Sequence, residues 1–463
     1  MAIKKTTTPM REQDPAIRVR NFNEVATGYT EEDALEEAKR CLNCKTKPCI
    51  KGCPVNIDIP AFIMEIKEGN FQKAIDILHD KNCLPLVTGR VCPQEEQCQM
   101  FCSLSKIGDT VSIGRLERFA ADWEMNNKAE QTTEFHFPKL GKKVAIIGSG
   151  PAGLSCAGDL IRFGYDVTIF EAFHKSGGVL VYGIPEFRLP KDIVETEVNN
   201  LRRMGVEVVN DVLIGSGKKI QDLFDHGYKA IFIGTGAGLP QFMGIPGENL
   251  SGVYSANEYL TRVNLMKSYL FPRFDTPILP AKNVAVIGGG NVALDSARTA
   301  LRLGADHVYM IYRRGREEMP ARVEEVHHAE QEGVDFNFLT NPIAYFGNEK
   351  GYVHEIECQK MELCEPDASG RRRPVACAGS NFKLKIDQVI VSVGTTPNPI
   401  IAKTTPGLET QKKGEIVVND VGMTSIPGVF AGGDIVTGAA TVITAMGAGR
   451  LSAQAMHDYL SKE

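Results

Sequence analysis

The residues best suited to chemistry in this sequence are cysteines, and most of them lie close together. Eight of the 12 cysteines fall between residues 41 and 102. They form a first run (Cys41, Cys44, Cys49 and Cys53, then proline) and a second run (Cys92, then proline, Cys98 and Cys102), with Cys83 between the runs. Thiolates are soft, anionic ligands that suit iron–sulfur clusters or zinc. Clustered cysteines in an intracellular protein therefore predict metal ligands rather than disulfides.

The spacing favours two iron–sulfur clusters over structural zinc. In bacterial ferredoxins, the last cysteine of a run that ends in Cys-Pro ligates the other cluster. The same logic gives a Cys41 set (Cys41, Cys44, Cys49 and Cys102) and a Cys53 set (Cys53, Cys92 and Cys98). Zinc sites use paired Cys-x2-Cys knuckles, and only one such knuckle is present. The eighth ligand stays open, although Cys83 would complete two sets of four.

A glycine-rich turn after the strand-like stretch KVAII predicts a dinucleotide site. The residues concerned are Gly148, Gly150, Pro151, Ala152 and Gly153. Glycines permit a tight turn and close approach of the backbone to pyrophosphate, and the N-terminus of the following helix favours negative charge. Glu171 ends the next strand, where an acid can bind ribose hydroxyls.

Later features indicate that this first dinucleotide is FAD. After the strand that ends in Glu171, the chain turns back towards the expected cofactor. Near the C-terminus, the strand GVFA is followed by a second loop and by the start of a helix. The residues predicted to contact FAD there are Gly177, Gly178, Gly433, Asp434, Thr441 and Val442. The helix start can stabilise negative charge on reduced flavin. The alternative for Asp434 is a turn or cap residue without a ligand.

The same strand, turn and helix pattern recurs once, and there it predicts NADP(H). The second turn contributes Gly288, Gly290, Asn291, Val292 and Ala293. An acid at the end of the next strand would select NAD, but Arg313 and Arg314 stand there. Guanidinium groups match a 2′-phosphate in charge and geometry. The alternative is a solvated basic turn in which the arginines pair with Glu317 and Glu318.

These motifs predict an α/β chain of 463 residues with three parts. Residues 1–140 form an all-α iron–sulfur domain, 141–260 and 395–463 an FAD domain, and 261–394 an NADP(H) domain, the last two being interleaved Rossmann-like domains. The net charge of −5 and the absence of a basic run argue against a nucleic-acid partner. The sequence shows neither a secretory signal nor an apolar run long enough for a membrane span. We therefore expect a cytoplasmic enzyme.

Several segments together resemble one family closely. They are CLNCKTKPCIKGCPVNIDIPAFI, GRVCPQEEQC, IGRLERF, GSGPAGL, GGVLVYGIPEFRLP, GGGNVALD and AGGD. The chain is similar to the small (beta) subunit of bacterial NADPH glutamate synthase. It is more similar to the NADPH-binding large subunit of NADH-dependent reduced ferredoxin:NADP oxidoreductase, and more distantly to the N-terminal part of dihydropyrimidine dehydrogenase. The resemblance covers nearly the whole chain and implies FAD, NADP(H) and two [4Fe–4S] clusters.

The resemblance also implies site residues that the spacing does not give. In this family the fourth ligand of the second cluster is Glu or Gln in a GRLE-type segment, where Glu117 stands. Cys83 would then be a small buried hydrophobe. The resemblance also places the segment GGVLVYGIPEFRLP along the flavin ring, with Gly183, Ile184 and Pro185 nearest to it. The alternative is a structural loop before a helix.

Three functional interpretations follow. The first is the NADPH- and FAD-binding subunit of a ferredoxin:NADP transhydrogenase, with or without electron bifurcation, whose partner is a ferredoxin-reductase-like flavoprotein and whose acceptor can be ferredoxin. The second is the small subunit of glutamate synthase, which feeds electrons to the large subunit. The third is an adaptor that has lost its cofactors, which the intact motifs disfavour. No acid–base set is expected, because the cofactors carry the hydride chemistry, and the GRVCPQEEQC and IGRLERFAADW segments favour the first interpretation.

Overall fold

The N-terminal part of the chain is helical. The computed structural model describes residues 4–127, 137–367 and 370–462. The helices of this part are Pro15–Arg18, Glu31–Ala38, Pro48–Lys51, Ile59–Lys67, Phe71–Lys81, Pro85–Val91 and Ile113–Asn127. Local chemistry sets their starts: Thr30 and Asp33 form a reciprocal capping box at the second helix. Asp58 caps the fourth.

A five-stranded parallel sheet forms the centre of the second part. Its strands, in spatial order, are Val429–Ala431, Tyr228–Ile233, Lys143–Ile147, Asp166–Phe170 and Glu207–Val209. The helices that belong with it are Pro151–Arg162, Val179–Tyr182, Lys191–Arg203, Ile220–Asp225, Ile400–Thr404, Asp434–Thr437 and Val442–Leu460. Apart from Glu207–Val209, these short apolar strands are buried along most of their length, as expected of parallel sheets.

The third part repeats this arrangement. Its parallel sheet has the spatial order Val253–Ser255, Gln388–Val391, Asn283–Ile287, His307–Ile311 and Asp335–Asn337. Its helices are Ala256–Asn264, Asn291–Arg302 and Val323–Glu332. An antiparallel sheet is attached to it and is not predicted by the sequence motifs; its strands are Thr340–Gly347, Val353–Pro366, Arg372–Ala376 and Phe382–Lys385.

The chain crosses between the two sheets earlier than the predicted boundary at residue 260. The strand Val253–Ser255 already pairs with Gln388–Val391 of the second sheet. A two-stranded antiparallel ribbon, Leu239–Pro240 with Thr395–Thr396, lies where the chain leaves and re-enters the first sheet domain. A parallel edge strand gives no signal of which sheet it joins, so the sequence could not mark this crossing.

The helical part and the first sheet domain share one hydrophobic core. Phe62, Ile75 and Leu116 of the helices belong to the same buried cluster as Leu154 and Leu201 of the sheet domain. The helical part is therefore packed onto the first sheet domain instead of being tethered to it. Among the described residues, no helix is both long and apolar enough to span a membrane.

Candidate functional site

The four thiols of the Cys41 set line one cavity in the helical part, whose remaining lining is largely apolar. Cys41 follows the helix Glu31–Ala38, and Cys49 lies within Pro48–Lys51. The pKa of Cys49 is raised to about 12, mainly by burial and to a smaller extent by the neighbouring Cys41 and Cys102 thiols. Thiolates gather in such a place only with a compensating cation, and iron supplies that charge. The donor set therefore fits an iron–sulfur cluster.

The three thiols of the Cys53 set are buried together with Glu117. Burial raises the pKa of each thiol, and the Glu117 carboxylate raises it further. Burial also raises the pKa of Glu117 to about 7. Oε1 of Glu117 accepts hydrogen bonds from Asn82 Nδ2 at 2.9 Å and from Thr88 Oγ1. Those bonds hold the carboxylate in place, so that Oε2 is the candidate ligand atom.

Cys83, the competing eighth ligand, lies elsewhere. Its Sγ is 3.8 Å from the Leu154 carbonyl oxygen and 3.4 Å from the position that a β-carbon on Gly158 would take. The charged groups that raise its pKa after burial are Asp159 and Glu197, not thiolates. The geometry therefore favours Glu117 over Cys83.

The thiols are spaced too widely for a single zinc ion. Tetrahedral zinc with bonds of about 2.3 Å brings its sulfur ligands to roughly 3.8 Å of one another. Among the described residues, no three cysteines have sulfur atoms within 4.8 Å of one another; the one group of three potential ligands that does is Glu12, Glu324 and His328. Glu12 there is also 3.1 Å from Arg18 Nη1, which already neutralises it.

The Cys53 set lies beside the C-terminal helix Val442–Leu460. A β-carbon on Gly447 of that helix would be 2.8 Å from the Pro54 carbonyl oxygen, next to Cys53. Gln97, next to Cys98, donates from Nε2 to Thr441 Oγ1 at 3.4 Å. The Cys53 set is therefore adjacent to the predicted flavin-contacting helix start, whereas the cavity of the Cys41 set is lined by the helical part alone.

The first glycine-rich turn is closed by backbone contacts that leave no room for side chains. Gly148 has φ +98°, and a β-carbon there would be 2.6 Å from the Gly234 carbonyl oxygen. One on Gly153 would be 2.0 Å from the Gly148 carbonyl oxygen. Gly150 precedes the helix Pro151–Arg162, whose buried Pro151 and Ala152 begin it. The turn thus exposes free backbone amides of a helix N-terminus to an anionic ligand.

Glu171 fixes the shape of this turn. Its Oε2 accepts from the Ser149 backbone N at 2.9 Å and from the Ser149 hydroxyl, while Oε1 accepts from Phe173 N at 2.9 Å. The Ser149 hydroxyl accepts in turn from Gly177 N at 2.9 Å. The acid predicted to bind ribose therefore also ties the loop that carries Gly177 and Gly178 to the first turn.

The C-terminal loop reaches the same place. A β-carbon on Gly433, which has φ +77°, would be 3.0 Å from the Ala152 β-carbon. Thr441 caps the helix that Val442 begins and accepts from Thr444 N at 3.3 Å. Burial raises the pKa of Asp434 to about 6, although its Oδ1 accepts a bond from Ala440 N at 3.3 Å. The loop at Gly433 is thus in contact with the start of the helix Pro151–Arg162.

The segment predicted to lie along the flavin is fixed at several atoms. The carbonyls of Tyr182 and Gly183 each accept from Asn264 Nδ2 at 3.3 Å. The Ile184 carbonyl accepts from Lys191 Nζ, and Pro185 is buried. Sequence reasoning missed Asn264 and Lys191; the lysine that ends the apolar segment FRLPK was the available signal.

The second glycine-rich turn repeats the first. A β-carbon on Gly288 would be 2.3 Å from the Ser392 carbonyl oxygen, and Ala293 is fully buried against the turn. Gly290 precedes the helix Asn291–Arg302. Asn291 Oδ1 accepts from the Arg322 backbone N at 3.0 Å, and Val292 is exposed. This turn has the form needed to hold a second dinucleotide.

The two arginines at the end of the next strand have different surroundings. Arg314 is 5% exposed, donates from Nε to the Arg372 carbonyl at 2.8 Å and pairs with Asp367. Arg313 is exposed and makes no hydrogen bond or ion pair within the described part of the chain. Glu317 and Glu318 pair with Arg372, not with these arginines. Arg313 is therefore the guanidinium available to a 2′-phosphate.

Known proteins match this chain over almost its full length. A family described as dihydropyrimidine dehydrogenase domain II, 4Fe-4S cluster, matches residues 18–129. The pyridine nucleotide-disulphide oxidoreductase family matches residues 142–449. The small chain of NADPH glutamate synthase from Halomonas elongata is 37% identical, and the match covers 97% of this chain and 96% of that one.

Two further relatives extend this comparison. The NADP(+)-dependent formate dehydrogenase subunit beta of Moorella thermoacetica is 40% identical over 90% of this chain, which spans 60% of that protein's length. The solved structure of Mycobacterium tuberculosis FprA in complex with NADPH has a TM-score of 0.58 at 21% identity, over 69% of this chain and 85% of FprA. That likeness supports the fold.

These matches confirm the predicted fold class, a helical iron–sulfur region followed by two dinucleotide-binding regions. They also support FAD, NADP and a 4Fe–4S cluster as cofactors. The chain belongs to the pyridine nucleotide-disulphide oxidoreductase family, and within it to the NADP-dependent flavin iron–sulfur oxidoreductase subunits of the glutamate synthase small-subunit type.

Proposed function

We propose that this chain exchanges hydride between NADP(H) and FAD and passes single electrons through two [4Fe–4S] clusters to or from a partner protein, as in ferredoxin:NADP transhydrogenases. The observation that carries the proposal is the order of the candidate sites. The segment at Gly183 touches the NADP(H) domain through Asn264. The Cys53 set adjoins the helix start at Thr441, and the Cys41 set lies beyond it towards the surface.

When bound, NADP(H) and FAD would supply the hydride chemistry, and the clusters would supply one-electron transfer. The residues of this chain bind and orient these groups. The turns at Gly148 and Gly288 present backbone amides to the two pyrophosphates, and Arg313 offers a guanidinium to the 2′-phosphate. The segment at Ile184 excludes water from one side of the flavin volume, and the two thiol sets with Glu117 hold the clusters.

The surface beside the Cys41 set is suited to an acidic electron-transfer partner. Leu42, Met100, Phe101 and Ile107 are 42–58% exposed there. Phe101 packs on Gly52, which joins the two cysteine runs at this surface. Exposed lysines stand within three residues of these apolar side chains or of the thiols of the Cys41 set in the sequence: Lys39, Lys45, Lys51 and Lys106. Complementary charge speeds and orients encounters between proteins, so an acidic ferredoxin or an acidic flavoprotein face is the expected partner.

An anaerobic titration tests the proposal. The chain is reconstituted with FAD, iron and sulfide, and NADPH is added while flavin absorbance is followed. We expect NADPH to bleach the flavin and NADH to be much less effective, with about eight iron atoms per chain because each cluster holds four. A flavin that NADPH cannot bleach would contradict hydride exchange. An iron content of about four atoms per chain would contradict the second cluster.

The small subunit of glutamate synthase is the second candidate, and one observation favours it. The match to the Halomonas elongata small chain covers 96% of that protein, whereas the chain spans only 60% of the formate dehydrogenase subunit. Anaerobic purification from the native source, followed by mass spectrometry of the bound partner, separates the two. A ferredoxin-reductase-like flavoprotein supports the first candidate, and a large amidotransferase-type subunit supports the second.

A further inference from the structure

The segment predicted to lie along the flavin is joined to the NADP(H) domain at both of its ends. At one end Asn264, which closes the helix Ala256–Asn264, donates to the carbonyls of Tyr182 and Gly183. At the other end Arg188 extends into the NADP(H) domain. The segment therefore bridges the two nucleotide sites directly.

Of the two connections, the one made by Arg188 has the more restrictive geometry. Its Nη1 lies 2.9 and 2.8 Å from the two carboxylate oxygens of Asp295. Its Nε lies 3.0 Å from Glu325 Oε1. The three side chains are only 5–8% exposed. Charge-assisted bonds of this kind are directional and are little screened by solvent when buried.

Each end of this ion pair stands close to a candidate nucleotide site. Arg188 is three residues after Pro185, within the segment expected along the flavin. Asp295 lies one turn inside the helix Asn291–Arg302, whose N-terminus faces the expected NADP(H) pyrophosphate. A movement of the helix relative to the flavin segment would break the pair.

The surroundings of the pair are rigid. Arg298, which is fully buried, also bonds Glu325, and it pairs with Glu332 at 2.8 Å. The Phe187 ring lies under two guanidinium carbons, 4.8 Å from that of Arg298 and 3.9 Å from that of Arg302. A packed network with this many fixed bonds has little freedom to adjust when one member moves.

We propose that Arg188 is a positioning residue: through Asp295 it fixes the flavin-facing segment against the NADP(H)-binding helix and so sets the distance for hydride transfer. This inference rests on the proposed function. Displacement of reacting groups by about 1 Å can cost roughly 100-fold in rate. Loss of the pair should therefore slow flavin reduction far more than it weakens nucleotide binding.

The test compares a charge-matched double variant, Arg188→Met with Asp295→Asn, with the wild-type chain. Removing Arg188 and Asp295 together leaves the net charge unchanged, and Glu325 keeps its pair with Arg298, so that no buried charge is left unpaired. Arg188→Lys restores the charge but not the two-pronged contact. Arg262→Met, which breaks an exposed pair with Glu258 in the same domain, is the control. Stopped-flow flavin bleaching by NADPH, the NADP(+) dissociation constant, FAD content and the NADPH–flavin charge-transfer band are measured for each.

We expect the double variant to retain FAD and to bind NADP(+) within about threefold of wild type, while flavin reduction slows by roughly 10- to 100-fold and the charge-transfer band weakens. Arg188→Lys should be intermediate and Arg262→Met unchanged. An unchanged rate of flavin reduction and an unchanged charge-transfer band in the double variant would overturn the proposal. If the double variant fails to hold FAD, a wild-type rate and band in Arg188→Lys would overturn it instead. Wild-type protein that NADPH cannot reduce would instead refute the proposed function.

Discussion

Arg313 offers the sharpest test of cofactor selection, because its neighbour provides a matched comparison. Arg313 is exposed, and Arg314 is buried and paired with Asp367. If Arg313 binds the 2′-phosphate, Arg313→Gln should weaken NADPH binding and leave NADH binding nearly unchanged. NADH has no group at that position to lose a contact.

The size of this effect follows from the exposure of the side chain. A hydrogen bond to a charged group contributes about 1.5–3 kcal/mol, and each 1.4 kcal/mol is tenfold in affinity. Because Arg313 is open to solvent, screening lowers the effect to about 1–2 kcal/mol. We expect NADPH affinity to fall roughly 5- to 30-fold and NADH affinity to change by less than about twofold.

Isothermal titration or flavin bleaching with each nucleotide measures the two affinities. Arg314→Gln is the control: it removes a buried pair with Asp367 and a bond to the Arg372 carbonyl. That change should lower the free energy of unfolding by about 1–3 kcal/mol and should affect NADPH and NADH alike. Equal losses for both nucleotides in Arg313→Gln, or selective loss in Arg314→Gln alone, would refute the reasoning.

Three further predictions concern the clusters and FAD. Glu117→Ala should remove about half of the iron, whereas Cys83→Ser should retain all of it, as measured by iron and sulfide analysis. Gly153→Ala should lower FAD occupancy at least about tenfold, measured by flavin absorbance per chain, because the added carbon meets a carbonyl 2.0 Å away. Asp434→Asn should raise the free energy of unfolding of the FAD-free chain at pH 7 by up to about 3 kcal/mol, measured in urea.

The sign of the last prediction follows from proton binding. Burial raises the pKa of Asp434 to about 6 from its usual 3.8, so the folded chain binds more protons than the unfolded chain between those values. The contribution of Asp434 to stability therefore falls as the pH rises from about 4 to about 6. Asp434→Asn should remove that slope. An unchanged slope in Asp434→Asn would contradict this argument. Full FAD occupancy in Gly153→Ala would contradict the close contact inferred at the first turn. Iron loss in Cys83→Ser would contradict the choice of Glu117 as the eighth ligand.

The sequence predicted the two Rossmann-like units well because their signals are local. Gly148 and Gly288 have positive φ angles and close backbone contacts that leave no room for a side chain. The crossing between the sheets could not be located in this way. The strand Val253–Ser255 joins the second sheet through pairing with residues more than 130 positions away, and no local pattern records such pairing.

In the site too, short sequence motifs predicted some residues, whereas contacts between residues far apart in the sequence could not be predicted. Cysteine spacing grouped the thiols of the Cys41 set, which line one cavity. The dipeptide Arg313–Arg314 suggested two equivalent arginines, but Arg314 is used by an antiparallel sheet that the sequence did not reveal. The Arg188–Asp295 contact was equally invisible, because each residue looks like an ordinary surface charge until the domains are packed together.

Electron transfer from NADPH through the flavin and the Cys53 set is the central claim, and one comparison tests it most directly. Anaerobic reduction of cytochrome c by NADPH is measured for the wild-type chain and for Cys98→Ser, with Cys364→Ser, exposed and outside both sets, as the control. The account predicts that NADPH bleaches the flavin of all three chains but that Cys98→Ser alone fails to reduce cytochrome c. Cytochrome c reduction by Cys98→Ser at the wild-type rate would contradict it.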